Sequence, residues 1–261
     1  MEDHYARLNT VLTRGIPVAN VAVIHPIESY WLHWGPKENT AMYRNMMDTQ
    51  FKETNEWLLS GLIDFDYISE SLLPEQVGDI TDKLKVGKME YSTVVVSGCE
   101  TLRSTTLGVL KKFKEAGGNI IFVGEAPKYV DAIPSKEPQE LYNTCKVVMH
   151  SKPQLLAALE KDRFLDIREQ TGEQTSCLLY QCRKDNDGQW LFIAHMCDEA
   201  AEDWMSDRLS KNFVLPYERQ IIINGEYTPL LYDTLTGEVK KISYEIRNGK
   251  TIIEYTFFAH D

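Results

Sequence analysis

Apolar and polar positions follow two different rhythms along this chain, and the rhythm changes near residue 165. In the first stretch, short unbroken apolar runs alternate with longer segments that repeat at helical spacing. Val94-Val95-Val96-Ser97-Gly98 reads as a buried strand, and residues 101–116 carry Leu102, Leu107, Leu110 and Phe113 on one helical face. Gly117-Gly118 stops that helix, and Asn119-Ile120-Ile121-Phe122-Val123-Gly124 is a second buried strand. Such a strand–helix–strand unit belongs to a parallel sheet covered on both faces.

The neighbouring segments extend the pattern. Residues 5–14 form a short amphipathic helix ended by Gly15 and Pro17, and residues 18–25 form a strand bounded by Pro26. Residues 39–63 form a long helix in which the Met42, Met46 and Met47 stripe is expected to pack in the core. Short strands are expected at 66–68, 85–89 and 146–149, a polar loop at 128–138 and a last helix at 153–162. The alternation predicts a three-layer α/β domain over residues 1–165 with right-handed crossovers.

Residues 166–261 read differently. Apolar runs at 177–181 and 190–195 flank an Asp187-Gly188 turn, and a mixed stretch at 198–212 suits a short helix or an excursion loop. Runs at 218–223, 229–232, 240–246 and 251–258 are separated by Asn224-Gly225, Thr236-Gly237 and Asn248-Gly249. Short strands at this spacing predict an antiparallel β domain, a partial sandwich. Ending on a hydrophobic strand suggests a chain cut from something longer, or a sheet completed by another domain.

Composition narrows the partners. A net charge of −11 disfavours nucleic acid and anionic membranes, because phosphate surfaces need clustered Lys and Arg. No run approaches the ~18–20 apolar residues of a membrane span. Met1-Glu2-Asp3-His4-Tyr5 lacks the layout of a secretory signal, so a cytoplasmic location is expected. The five cysteines (Cys99, Cys145, Cys177, Cys182, Cys197) form no CxxC pair and read as reduced thiols. The His195-x-Cys197 spacing with Cys182 is weak for zinc, so no metal or other cofactor is expected.

Two segments resemble a known family. Ala6-Arg7-Leu8 through Gly15-Ile16-Pro17-Val18-Ala19-Asn20-Val21-Ala22-Val23-Ile24-His25-Pro26-Ile27-Glu28-Ser29 resembles the segment after the catalytic barrel of some large glycoside hydrolases. Trp190-Leu191-Phe192-Ile193-Ala194-His195 and Pro229-Leu230-Leu231-Tyr232-Asp233-Thr234-Leu235-Thr236-Gly237-Glu238 are similar to the β-sandwich that follows it. The nearest family is the α-L-rhamnosidase-like family 106. The α/β part also resembles the trimerisation domain of family 42 β-galactosidases. The resemblance implies an open flavodoxin-like, class I glutamine amidotransferase-like sheet followed by an antiparallel β domain. It further implies a non-catalytic accessory role, bracing a catalytic (β/α)₈ barrel or mediating subunit contacts, with a homo-oligomer and carbohydrate as further partners. No catalytic residue is carried over, because nothing here matches that barrel.

The residues themselves leave rivals open. A stand-alone hydrolase or amidase-like enzyme would use Cys99, His150 or Glu125, although no Cys or Ser follows Val123, where an amidotransferase carries its nucleophile. A phosphate site is disfavoured because His25-Pro26-Ile27-Glu28-Ser29 lacks a Gly-rich turn. Asp64 with Asp66, or Glu28 with Glu125, are formal carboxylate pairs of the kind glycosidases use. The Tyr30-Trp31-Leu32-His33-Trp34 loop offers flat aromatic faces to a sugar or a protein partner. Glu28, Trp31, His33, Trp34 and Glu125 are therefore the candidate binding residues, and a free-standing carbohydrate-binding module is the third reading.

Overall fold

The computed structural model describes residues 2–175, 177–195 and 216–258. The chain is mixed α/β, with a parallel five-stranded sheet and several antiparallel sheets, and it divides into two compact units. The α/β unit holds Ala19–Leu58 and Ile63–Asp162. The β unit is built from the described residues of 1–18, 59–62 and 163–261. No helix among the described residues is long and apolar enough to cross a membrane.

In the α/β unit the parallel strands are β1 (Val21–Ile24), β2 (Phe65–Ile68), β3 (Thr93–Ser97), β4 (Asn119–Val123) and β5 (Lys146–Val148). Their spatial order is β5-β4-β3-β1-β2. The helices that matter here are α1 (Ile27–Leu32), α2 (Lys37–Ser60), α3 (Ser104–Glu115) and α4 (Lys152–Ala158). Consecutive strand residues point to opposite faces, and both faces are dry. Ala22, Ile24, Val94, Val96, Ile120 and Phe122 enter one core with Leu107, Leu110 and Phe113 of α3. Val21, Val23, Val95, Ile121 and Val123 enter the other, with Leu58 of α2 and Leu155 and Ala158 of α4. Two buried faces explain why these strands read as unbroken apolar runs.

The stop after α3 is a Schellman turn. Gly117 sits at φ +93° and its N–H donates to Lys114 O at 3.1 Å, while the Gly118 N–H donates to Phe113 O at 2.8 Å. A Cβ on Gly118 would lie 2.2 Å from the Phe113 ring, so both glycines are required, for different reasons.

Three expectations are corrected in this unit. Residues 30–34 begin as helix, not loop: α1 runs through Leu32, because nothing between Ile27 and Leu32 breaks a helix started by Pro26. The segment 128–138 is not plain loop. Tyr129–Val130 pairs with Ile133–Pro134 and, in parallel, with Thr101–Leu102, through a tight turn with Asp131 and Ala132 both at positive φ. The Met stripe of α2 is split: its buried residues are Met47, Thr54 and Leu58, while Met42 is 73% exposed. Met47, Thr54 and Leu58 are seven and four residues apart and define the inner stripe, which leaves Met42 and Met46 outside it.

The β unit contains β6 (Leu165–Arg168), β7 (Leu178–Lys184), β8 (Gln189–His195), β9 (Tyr217–Asn224), β10 (Glu245–Arg247) and β11 (Lys250–Phe257). β6-β9-β11-β10 form one antiparallel sheet, and Ile16–Pro17, β7 and β8 form another. Leu165, Ile167, Leu178, Ile221, Ile223, Ile253 and Phe257 build their shared core. The segment read as one strand at 240–246 is two pieces, because Val239–Lys241 pairs with Leu230–Tyr232 and β10 pairs with β11. The stretch 198–212 lies outside the described residues.

The segment after the N-terminal helix (Glu2–Leu12) is tied to the β7–β8 turn by charge. Arg14 Nε donates to Asp185 Oδ2 at 2.6 Å, Arg14 also pairs with Asp187, and its guanidinium lies 4.5 Å from the Trp190 ring centroid. Arg14 holds the Asp185 carboxyl down at about 2. Gly15, at φ +51°, passes so close that a Cβ would meet Lys184 O at 2.0 Å.

Candidate functional site

In a parallel sheet ordered β5-β4-β3-β1-β2, connections leave β1 and β3 in opposite directions, which opens a crevice beyond their carboxyl ends. A cavity of about 300 Å³ lies there, lined by His25, Pro26, Ile27, Tyr30, Met47, Asp48, Phe51, Ser97 and Gly98. His25 follows β1 directly, and its backbone N–H donates to Ile68 O at 3.0 Å. Its ring meets Phe51 and Tyr67 edge-on, with centroids 5.4 Å away in both cases. Burial pushes the His25 pKa down, which favours the neutral imidazole at neutral pH. Gly98 turns the chain after β3 at φ +66°.

The polar groups of this cavity differ in how they are used. Ser97 Oγ lies 3.1 Å from Thr54 Oγ1. The His25 imidazole, the Tyr30 hydroxyl and the Asp48 carboxylate have no hydrogen-bond or ion-pair partner among the described residues. Three uncommitted polar groups beside the Phe51 ring and Met47 make a cleft that can hold a small, partly polar molecule.

Of the residues picked from sequence, Glu28, Trp31, His33 and Trp34 fall on or just after α1, beside this cleft, and Glu125 follows β4. Glu28 Oε1 accepts from Arg103 Nε at 2.5 Å, and Glu125 pairs with Lys128 at 3.0 Å. Each carboxylate is thus committed to its own cation, and the two do not form an acid–base pair with each other. His33 Nε2 lies 2.9 Å from Glu100 Oε2, and its ring stacks on Tyr43 at 5.2 Å and 11°. Trp34 carries the Arg44 guanidinium 5.0 Å from its ring centroid, yet it is 69% exposed, and Trp31 is 58% exposed. Met42, Tyr43 and Met46 of α2 are exposed as well.

The nucleophilic alternative has no support in this geometry. Cys99 is fully buried, and desolvation, reinforced by the nearby Glu70 and Glu28 charges, pushes its thiol pKa well up. A neutral thiol is a poor nucleophile. His150 is engaged elsewhere: Nδ1 is 3.6 Å from Glu53 and the ring packs 4.4 Å from Trp57. Asp64 is pushed up to about 6 by burial, but it precedes β2 at the opposite, amino edge, and Asp66 accepts the Tyr91 hydroxyl at 2.9 Å.

Among the described residues no group of three His, Cys, Asp or Glu is placed to hold a metal. His195 uses both ring nitrogens, Nε2 towards Phe258 O and Nδ1 towards the Tyr217 hydroxyl, at 3.0 Å each. Cys197 lies outside the described residues.

Sequence reading missed His25, Asp48 and Phe51 as site residues. His25 had a signal, since it ends the first parallel strand. Asp48 and Phe51 had none, because their convergence depends on how α2 packs.

No protein-family model matches this sequence, and no curated protein matches it. Its structure is similar to that of a rhamnosidase from Novosphingobium sp. PP1Y, with a TM-score of 0.61 at 18% identity, covering 99% of this chain and 23% of the rhamnosidase. It is also similar to α-L-fucosidase isoenzyme 2 from Paenibacillus thiaminolyticus, with a TM-score of 0.54 at 9% identity, covering 97% of this chain and 49% of that protein. A GH42 exo-carrageenase from Bacteroides ovatus aligns at a TM-score of 0.44 and 13% identity, covering 92% of this chain and 29% of the carrageenase. The chain therefore spans less than half the length of these proteins. The likeness to the rhamnosidase and the fucosidase shows a fold shared with glycoside hydrolases.

Proposed function

We propose that this chain is a non-catalytic accessory region of a glycoside hydrolase, with a flavodoxin-like, amidotransferase-like α/β domain followed by a β domain. It braces a catalytic barrel or mediates subunit contacts. One observation carries the reading: the likeness to the rhamnosidase runs along 99% of this chain but only 23% of that enzyme. The exposed side chains of Trp31, Trp34, Met42 and Met46 offer apolar surface of the kind such a contact needs.

The test is sedimentation of this chain mixed with a catalytic barrel encoded by the surrounding reading frame. The wild-type chain should co-sediment, and the double variant Trp31→Ser/Trp34→Ser should bind at least about tenfold more weakly. Both side chains are exposed, so the variant should still fold. Absence of any barrel in that frame, or association indifferent to both substitutions, would count against the reading.

A further inference from the structure

We infer that the cleft between the carboxyl ends of β1 and β3 is a binding site for a single neutral sugar ring, independent of any catalytic site in a barrel. The shape sets the size. About 300 Å³ is the small end of the ~300–1,000 Å³ range of ligand pockets, enough for one pyranose but not for a dinucleotide.

The chemistry of the walls sets the class. A fully apolar ligand would strip water from His25, Tyr30 and Asp48 and return no hydrogen bond, which is costly. An anion would meet the Asp48 carboxylate and find no cation among the lining residues. A polyol meets every requirement. Asp48 only accepts and can take two hydroxyl donors, while a neutral imidazole and a phenol each offer both a donor and an acceptor. Phe51 and Met47 provide the apolar wall on which the C–H face of a sugar rests. His25 follows β1 while the others sit on α1 and α2, at the place where open α/β sheets collect ligands.

Neither Trp31 nor Trp34 lines the cleft, although Trp34 packs 6.3 Å from the Tyr30 ring, which separates the site from the docking face proposed above. Its test is a ¹⁵N–¹H NMR titration of the full chain with L-rhamnose, L-fucose and D-galactose, with choline as a cationic control. At least one sugar should bind saturably in the millimolar range and shift the amides of His25, Tyr30 and Gly98. Asp48→Ala, an exposed position, should weaken binding about tenfold or more, and Trp31→Ala should leave it within about twofold. Three results would overturn the inference: no saturable shift with any of the three sugars, binding of choline alone, or sugar binding insensitive to Asp48→Ala. Loss of barrel association in the Trp31→Ser/Trp34→Ser variant with sugar binding intact would leave both proposals standing. Sugar binding without barrel association would sink only the accessory role.

Discussion

The two units bury their sheets in contrasting ways. In the α/β unit the central strands are dry on both faces, so neighbouring residues such as Ile120 and Ile121 serve different cores. In the β unit β9 buries one face more than the other: Ile221 and Ile223 are buried while Ile222 between them is not. Charges are paired in both units, Glu28 with Arg103 and Glu125 with Lys128 in the α/β unit among them. The β unit commits many of its charges in pairs, such as Arg14 with Asp185, Arg168 with Asp166, and Arg219 with Glu169. The α/β unit leaves His25, Tyr30 and Asp48 uncommitted at one edge of its sheet. A sheet with both faces covered has only its strand ends to offer a ligand, and that is where these groups collect.

Truncation should break this contrast most visibly. Phe113 is fully buried between α3 and the sheet, so Phe113→Ala should cost about 3–5 kcal/mol in urea denaturation. Adjacent positions on β4 should then be equally intolerant, with Ile120→Ala and Ile121→Ala each losing about 2–5 kcal/mol. On β9 the same scan should alternate, Ile221→Ala costing clearly more than Ile222→Ala. Equal costs at Ile221 and Ile222 would erase the distinction between the two sheets.

Titration sharpens it further. Burial raises Asp64 from 3.8 to about 6, so the folded state prefers the protonated form. The stability tied to that proton is present below pH 4 and is lost as pH rises through 6. Asp64→Asn keeps an oxygen for the Phe65 N–H, and should stabilise the chain by about 1–2 kcal/mol at pH 7 while flattening that part of the profile. Asp185 behaves in the opposite sense. Its pKa is lowered from 3.8 to about 2 by Arg14, so its contribution is present above pH 4 and disappears as pH falls towards 2. Asp185→Asn should remove that acid-side loss in thermal melts. The smallest expected effect is at Ala132, held at φ +64°, where Ala132→Gly should add up to about 1 kcal/mol.

Much of the α/β core was legible because a strand buried on both faces writes an unbroken apolar run, as Val94-Val95-Val96 does. The Gly117-Gly118 stop was legible for a different reason: its two backbone requirements leave few other residues. The Asp131-Ala132 hairpin was not, since Ala at positive φ is no turn signal. The Met42 and Met46 exposure was hidden too, because a methionine stripe looks alike whether it faces a core or solvent. The strand end at His25 pointed to the right edge of the sheet. Asp48 and Phe51 are brought there by tertiary packing, about 25 residues later in the sequence, and periodicity alone carries no trace of it.

The most direct test of a sugar-holding sheet edge without catalysis is a hydrolysis assay of this chain alone against aryl α-L-rhamnoside, α-L-fucoside and β-D-galactoside. The rate expected is that of buffer, unchanged by Glu28→Gln or Glu125→Gln. Turnover above buffer that disappears on Glu28→Gln would contradict the account, and would make the Glu28–Arg103 pair part of an active site.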